Sequence, residues 1–165
     1  GMGKTTLTLN LVKHGCRFLS DEAACVDPET GRVEPFPRSV NIRSNARALL
    51  GLALPAEGIA RPVRENDWEW SLDIEEILPG SLGVACPVRR LVFLNGFGDA
   101  ARWEPLAPSN ALFQLMRAST SSLKDAPRQL FRFAPLLDRL ECGNLLVGEP
   151  EATVRLVMDL VEAAR

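Results

Sequence analysis

Apolar and polar positions change their period several times along the chain, and each change marks an element. TTLTLNLVKHG has helical spacing, with Leu7, Leu11 and Val12 sharing a face and Gly15 as the stop. CRFLSDE reads as a strand, apolar at Phe18 and Leu19 and acidic at its exit. AACVDPETGRVEPFP reads as a hairpin, its two short strands flanking the turn formers Asp27 to Gly31. SVNIRS is a further strand and NARALLGLAL a helix, whereas residues 55–67, with Pro55, Gly58 and Pro62 amid charges, read as loop. DWEWSLD alternates strictly, which predicts a half-buried strand with Trp68, Trp70 and Leu72 on the covered side. Two tryptophans there serve as core cover or as a ligand platform.

The second half carries longer apolar runs. RRLVFLNGF is nearly continuous, as expected of a strand buried on both faces. APSNALFQLMRAS predicts a helix with Pro108 and Ser109 at its start, and DAPRQLFRFAPLLDRLE a longer one kinked or broken near Pro135. NLLVG is a last strand and EPEATVRLVMDLVEAAR a closing helix with Pro150 in its first turn. Strands mixed with helices imply an α/β class, with a small antiparallel section at residues 23–42. A chain of 165 residues suits one domain, taken as residues 1–165.

Composition narrows the partners. The net charge is −2, so no general basic field points to nucleic acid or to a membrane surface. No apolar run approaches the ~20 residues that span a bilayer. The four cysteines make no CxxC pair and read as buried reduced thiols, which makes a cytoplasmic setting the simplest expectation. The lone histidine, His14, cannot furnish a two-histidine metal site, and a cation at a helix end suits the helix dipole.

The chemistry concentrates at the front. GMGKTT holds the last three fixed positions of the P-loop (Walker A) pattern G-x-x-x-x-G-K-[ST], directly before a helix. In such a loop, backbone N–H groups and a helix N-terminus converge on phosphate, a lysine neutralises charge, and a Ser/Thr hydroxyl binds Mg²⁺. Gly1, Met2, Gly3, Lys4, Thr5 and Thr6 are therefore the candidate nucleotide-binding residues. The expectation is that the first glycine of the loop and the strand feeding it lie before residue 1. Phosphoryl transfer also needs a carboxylate near the loop, and LSDE supplies Asp21 and Glu22 where the next strand would end. Arg38 and Arg43 are solvated surface charges or clamps for phosphate or an acidic substrate; Lys124, in STSSLKD, reaches toward phosphate or belongs to a capped helix start.

GMGKTTLTLNLVKHGCRFLSDE resembles the catalytic domain of the HPr kinase/phosphorylase family and its bacterial relatives, whose pattern runs G-x-x-G-x-G-K-S, a helix, then G-H-R-L-V-A-D-D. Gly3, Lys4, Gly15, Arg17 and Asp21 match identically, and Thr5 and Glu22 are conservative replacements. VDPETGRVEPFPRSVNIR, LVFLNGFGDAARWEPLAPSNALFQLM and PEATVRLVMDLV are similar to later segments of a divergent branch. The likeness is specific at residues 1–43 and diffuse elsewhere; the family's E-[IV]-R-G-L-G-I signature is not present. The resemblance implies a P-loop kinase fold of the HPr kinase and PEP carboxykinase type, its first strand and loop start missing. It implies an ATP- and Mg²⁺-dependent kinase acting on a hydroxyl, a serine above all, of a small protein or peptide. Lys4 would bind phosphate, Thr5 and Glu22 the metal, and Asp21 would orient or deprotonate the acceptor. A homo-oligomer fits this reading, with neither nucleic acid nor membrane as partner. The alternatives are a P-loop ATPase or GTPase, and a degenerate nucleotide-binding protein without transfer activity.

Overall fold

A computed structural model describes residues 3–52, 60–64, 67–118 and 126–163. The chain is mixed α/β, with six helices and three small sheets among the described residues. In chain order its first elements are α1 (Lys4–Lys13), β1 (Cys25–Asp27), β2 (Arg32–Glu34), β3 (Val40–Arg43), α2 (Ser44–Leu50), β4 (Ala60–Arg64) and β5 (Asp67–Leu72). There follow α3 (Ile74–Ile77), β6 (Cys86–Pro87), β7 (Arg90–Phe97) and β8 (Arg102–Pro105). The chain ends with α4 (Pro108–Ala118), α5 (Ala126–Leu137), β9 (Glu141–Val147) and α6 (Pro150–Ala163). Two compact units emerge. One comprises residues 3–25 and 34–85, the other residues 26–33 and 86–165.

The first unit is built on the antiparallel sheet β3-β5-β4. Alternation sends Val40, Ile42, Trp70 and Leu72 to one face, where α1 and α2 supply Leu9, Val12, Ala46 and Leu50; Phe18 and Ile74 complete this core. Apolar residues 7, 9, 11 and 12 of α1 permit two stripes. Packing on α2 and β3 selects Leu9 and Val12, leaving the expected Leu7 and Leu11 only half-buried. The helix ends as expected, at His14 and a left-handed Gly15. The His14 ring Nδ1 lies 2.8 Å from the Asn10 carbonyl that accepts it, and Lys13 Nζ donates to the Leu50 carbonyl at 2.6 Å.

Three expectations for this unit need correction. CRFLSDE is not a strand: Phe18 makes one isolated parallel bridge with Leu82, and no second strand continues the ladder. Residues 60–64, expected as loop, form β4; Pro62 is tolerated there because β4 is an edge. Trp68 is 46% exposed while Trp70 is 6%, because Trp68 sits at the start of β5, opposite Pro62 and beside the register break in β4. The rest of the expected loop at residues 55–67 lies partly outside the described residues. α3 arose from no periodicity. It is a single turn held by a capping box between Asp73 and Glu76.

In the second unit β1, β2 and β6 form one small sheet, and β7-β9-β8 another. The turn between β1 and β2 is fixed by Asp27, whose carboxylate accepts from the Glu29 amide at 2.9 Å and the Thr30 hydroxyl at 2.7 Å. These bonds hold the Asp27 carboxyl below its ordinary value, the Thr30 hydroxyl contributing most. β7 pairs with β9 in parallel and β8 pairs with β9 antiparallel. α4 and α5 pack together over Ala111, Leu137 and Cys142. α5 runs through Pro135 and stops two residues later. β7, expected to be buried on both faces, is only half-buried from Leu91 to Leu94. The cysteines likewise depart from expectation: Cys142 alone is buried, Cys16 and Cys86 are half-buried, and Cys25 is exposed because β1 lies in a small, thinly covered sheet.

Candidate phosphate-binding site

The site starts at a helix end. Gly3 caps α1 in the left-handed region, φ 75°, a conformation that costs glycine nothing. It offers no side-chain cap, and the first turn of α1 contains no acid. No acid within α1 itself occupies this first turn, and a helix N-terminus without an acid of its own favours an anion. Lys4 is exposed at the first position, and Thr5 and Thr6 are half-buried in the same turn. Gly1, Met2 and Lys124 lie outside the described residues.

Asp21 reaches this helix end through a well-anchored segment. Phe18 is buried in the core, its amide donates to Ser81 O at 2.8 Å, and its carbonyl accepts from Gly83 N at 2.8 Å. Gly83 must be glycine for close approach: a Cβ would stand 2.9 Å from Arg17 Cβ and from Leu19 Cδ2. The facing loop is itself tied down. Glu75 accepts from the amides of Gly80 at 2.7 Å and Leu82 at 2.9 Å, and Arg17 donates to the Gly80 carbonyl. The Gly80 and Leu82 amides hold the Glu75 carboxyl below its usual value, with Arg17 adding to the effect. Arg17, Glu75 and Gly83 position the site. Only the match of Arg17 to the family pattern hinted at this.

Two residues beyond Phe18 the chain turns on Ser20, whose hydroxyl accepts from the amides of Glu22 and Ala23, both at 3.3 Å. The turn separates the two acids. Thr5 Oγ1 donates to Asp21 Oδ2 at 3.1 Å. Glu22 instead pairs with Arg38 at 3.1 Å, both side chains largely exposed. Phe36 N bonds to Leu19 O at 3.0 Å, which brings the segment carrying Arg38 alongside. Thr5 and Asp21 are thus together, and Glu22 is turned to a different partner. Arg43 is engaged elsewhere, 3.5 Å from Glu69 on the β3-β5-β4 sheet.

No protein-family model, curated protein or solved structure matches this chain. The chemistry of the site therefore rests on its own atoms. Among the described residues, no three of His, Cys, Asp and Glu converge to hold a metal on their own. Thr5 Oγ1 and the Asp21 carboxylate are hard oxygen donors next to a dipole end suited to phosphate, which fits a magnesium ion whose other ligands come from a phosphate chain and water. No helix among the described residues is long and apolar enough to cross a membrane.

Proposed function

We propose that this chain is an ATP- and Mg²⁺-dependent phosphotransferase of the HPr-kinase-like type, transferring a phosphoryl group to a serine hydroxyl of a small protein or peptide. The observation that carries the reading is the 3.1 Å hydrogen bond between Thr5, at an acid-free helix start, and Asp21, sixteen residues on. The α1 N-terminal amides, with Gly3 allowing close approach, would cradle phosphate oxygens, and Lys4 would neutralise their charge. Thr5 Oγ1 would hold the metal side of the nucleotide, with Glu22 near it once released from Arg38. Bound Mg²⁺–ATP would supply the phosphoryl group and the charge neutralisation of its leaving side. Asp21 would orient the acceptor hydroxyl and take up its proton on the carboxylate, the role a kinase assigns to a positioned base. A cytoplasmic setting and a homo-oligomer belong to the same proposal.

The test uses γ-labelled ATP, Mg²⁺ and an array of serine peptides, read for labelled peptide and for free phosphate. Asp21→Asn should lower transfer on the order of 10²-fold while ATP binding survives. Wild-type transfer by that variant would remove Asp21 from the mechanism. Free phosphate without labelled peptide would make the chain a hydrolase, and nucleotide binding with neither product a nucleotide-binding module.

A further inference from the structure

Two contacts bracket Asp21. On one side Phe36 N donates to Leu19 O at 3.0 Å, and on the other Arg38 Nη1 donates to Glu22 Oε2 at 3.1 Å. The segment that delivers Arg38 therefore lies along the turn that carries Asp21 to Thr5. Its backbone is stiff, because Pro35 and Pro37 each fix a φ angle and Pro37 biases Phe36 toward an extended conformation. The side chain is freer. Arg38 is 60% exposed and Glu22 62%, so the guanidinium can change partner without opening packed core.

The pair joins two groups with opposite effects on a phosphate chain. Arg38 attracts it, and Glu22 repels it unless a cation stands between them. An exposed pair of this kind contributes little, so a divalent ion or a phosphate oxygen displaces it readily. Arg43 makes the contrast. Its partner Glu69 is 8% exposed, and withdrawing a guanidinium there would leave a buried charge short of a partner. No such penalty holds Arg38 to Glu22.

Given the phosphate-binding role proposed for Gly3, Lys4 and Thr5, on which this rests, we infer that Arg38 is a further phosphate-binding residue, held in reserve by Glu22. Without a metal ion, Glu22 retains the guanidinium and Arg38 adds little to phosphate affinity. When metal-bound phosphate enters, Glu22 turns toward the cation and the freed guanidinium donates to an oxygen of the phosphate chain. Metal and phosphate thus strengthen each other's binding through one ion pair, by the same factor in each direction. Glu22 in this way makes the site favour metal-bound over bare polyphosphate.

The probes are inorganic tripolyphosphate and a non-hydrolysable ATP analogue, titrated into the whole chain by calorimetry with Mg²⁺ or with EDTA. The quantity read is the loss of affinity caused by Arg38→Met, in the wild-type and Glu22→Gln backgrounds. In EDTA that loss should be about twofold or less while Glu22 is present, and about tenfold in the Glu22→Gln background. With Mg²⁺ it should be about tenfold in both backgrounds. Both side chains are exposed, so neither substitution disturbs the core. An equal loss under all four conditions would make Arg38 a distant charge and overturn the inference, as would no loss under any of them. Lys4→Met separates this from the underlying reading. If it abolishes probe binding while the Arg38→Met losses are equal, the phosphate site stands and only the role of Arg38 falls. Binding that Lys4→Met leaves unchanged, or no binding of either probe by the wild type, would overturn both.

Discussion

Glu69 is a carboxylate on the outward side of β5, yet it is 8% exposed because two arginines close over it. The register places Arg43 of β3 and Arg61 of β4 directly opposite. Arg61 donates through Nε at 2.9 Å and through a second N–H, and Arg43 Nε lies 3.5 Å away. Glu69→Gln keeps the shape, removes the charge, and turns an amide donor toward guanidinium donors. Hydrogen bonds to charged groups contribute roughly 1.5–3 kcal/mol. Both arginines remain at least half exposed and re-solvate, which discounts that value. The expected loss is about 1–2 kcal/mol at pH 7, or roughly 2–8 °C in Tm for a chain of this size. The sign of the pH dependence follows. The Arg61 hydrogen bond first, then the Arg61 and Arg43 charges, hold the Glu69 carboxyl below its ordinary value against the opposing effect of burial. A lowered carboxyl stabilises the fold above its ordinary pKa, and that contribution disappears as pH falls through the folded value. The gap between wild type and Glu69→Gln should therefore be widest near neutrality and shrink toward pH 3. Thermal denaturation at several pH values, followed by circular dichroism, measures it. A Tm unchanged at pH 7, or a gap of constant size down to pH 3, would refute the ion-pair account.

Gly143→Ala in β9 should be among the most damaging single substitutions, costing about 3 kcal/mol or more in urea unfolding, because the added Cβ meets the Trp103 ring and stands 2.6 Å from the Glu104 carbonyl oxygen; a loss below 1 kcal/mol would show that β8 can move away. Arg90 is nine-tenths buried, with one N–H bonded to Glu141 and Nε and Nη1 lacking an acceptor among the described residues. Arg90→Met should thus be neutral or stabilising by about 1 kcal/mol, and a clear loss in urea unfolding would mean that those donors have partners in solution. Thiol-specific labelling at pH 8 should modify exposed Cys25 first and Cys142 last, since burial pushes the Cys142 thiol up and closes access; early modification of Cys142 in mass spectra would contradict its burial.

Elements whose stabilisation is local were legible in the sequence. α1 has its helical spacing and its glycine stop, α6 its opening proline, and the β1–β2 turn its Asp27 and Thr30. β5 was legible in its alternation, but the exposure of Trp68 was not, because it depends on where β4 breaks register. CRFLSDE failed for the complementary reason. An apolar pair predicts a strand only if a partner continues beside it, and the loop at residues 81–83 accompanies Phe18 for a single bridge. β4 was hidden by a proline and two arginines, which are edge residues rather than loop residues once β5 lies alongside.

The site divides along the same line. GKT before a helix and an acidic pair after the next apolar segment are sequence facts, and they suffice to bring one helix end and one carboxylate under suspicion together. Which of two adjacent acids meets the hydroxyl is a different kind of fact. Consecutive side chains diverge, so a turn at Ser20 can aim only one of them at Thr5. The choice is made by residues far along the chain. Arg38, carried in by the Phe36–Leu19 backbone bond, takes Glu22, while Phe18, Gly83 and the Glu75-held loop fix the phase at which Asp21 emerges. Arg43 shows the converse. It was a candidate anion clamp by composition, but strand register commits it to Glu69, so a charge that looked available for a ligand is held by its own sheet. Charge in a sequence names the candidates, and tertiary pairing decides which of them remain available to a ligand.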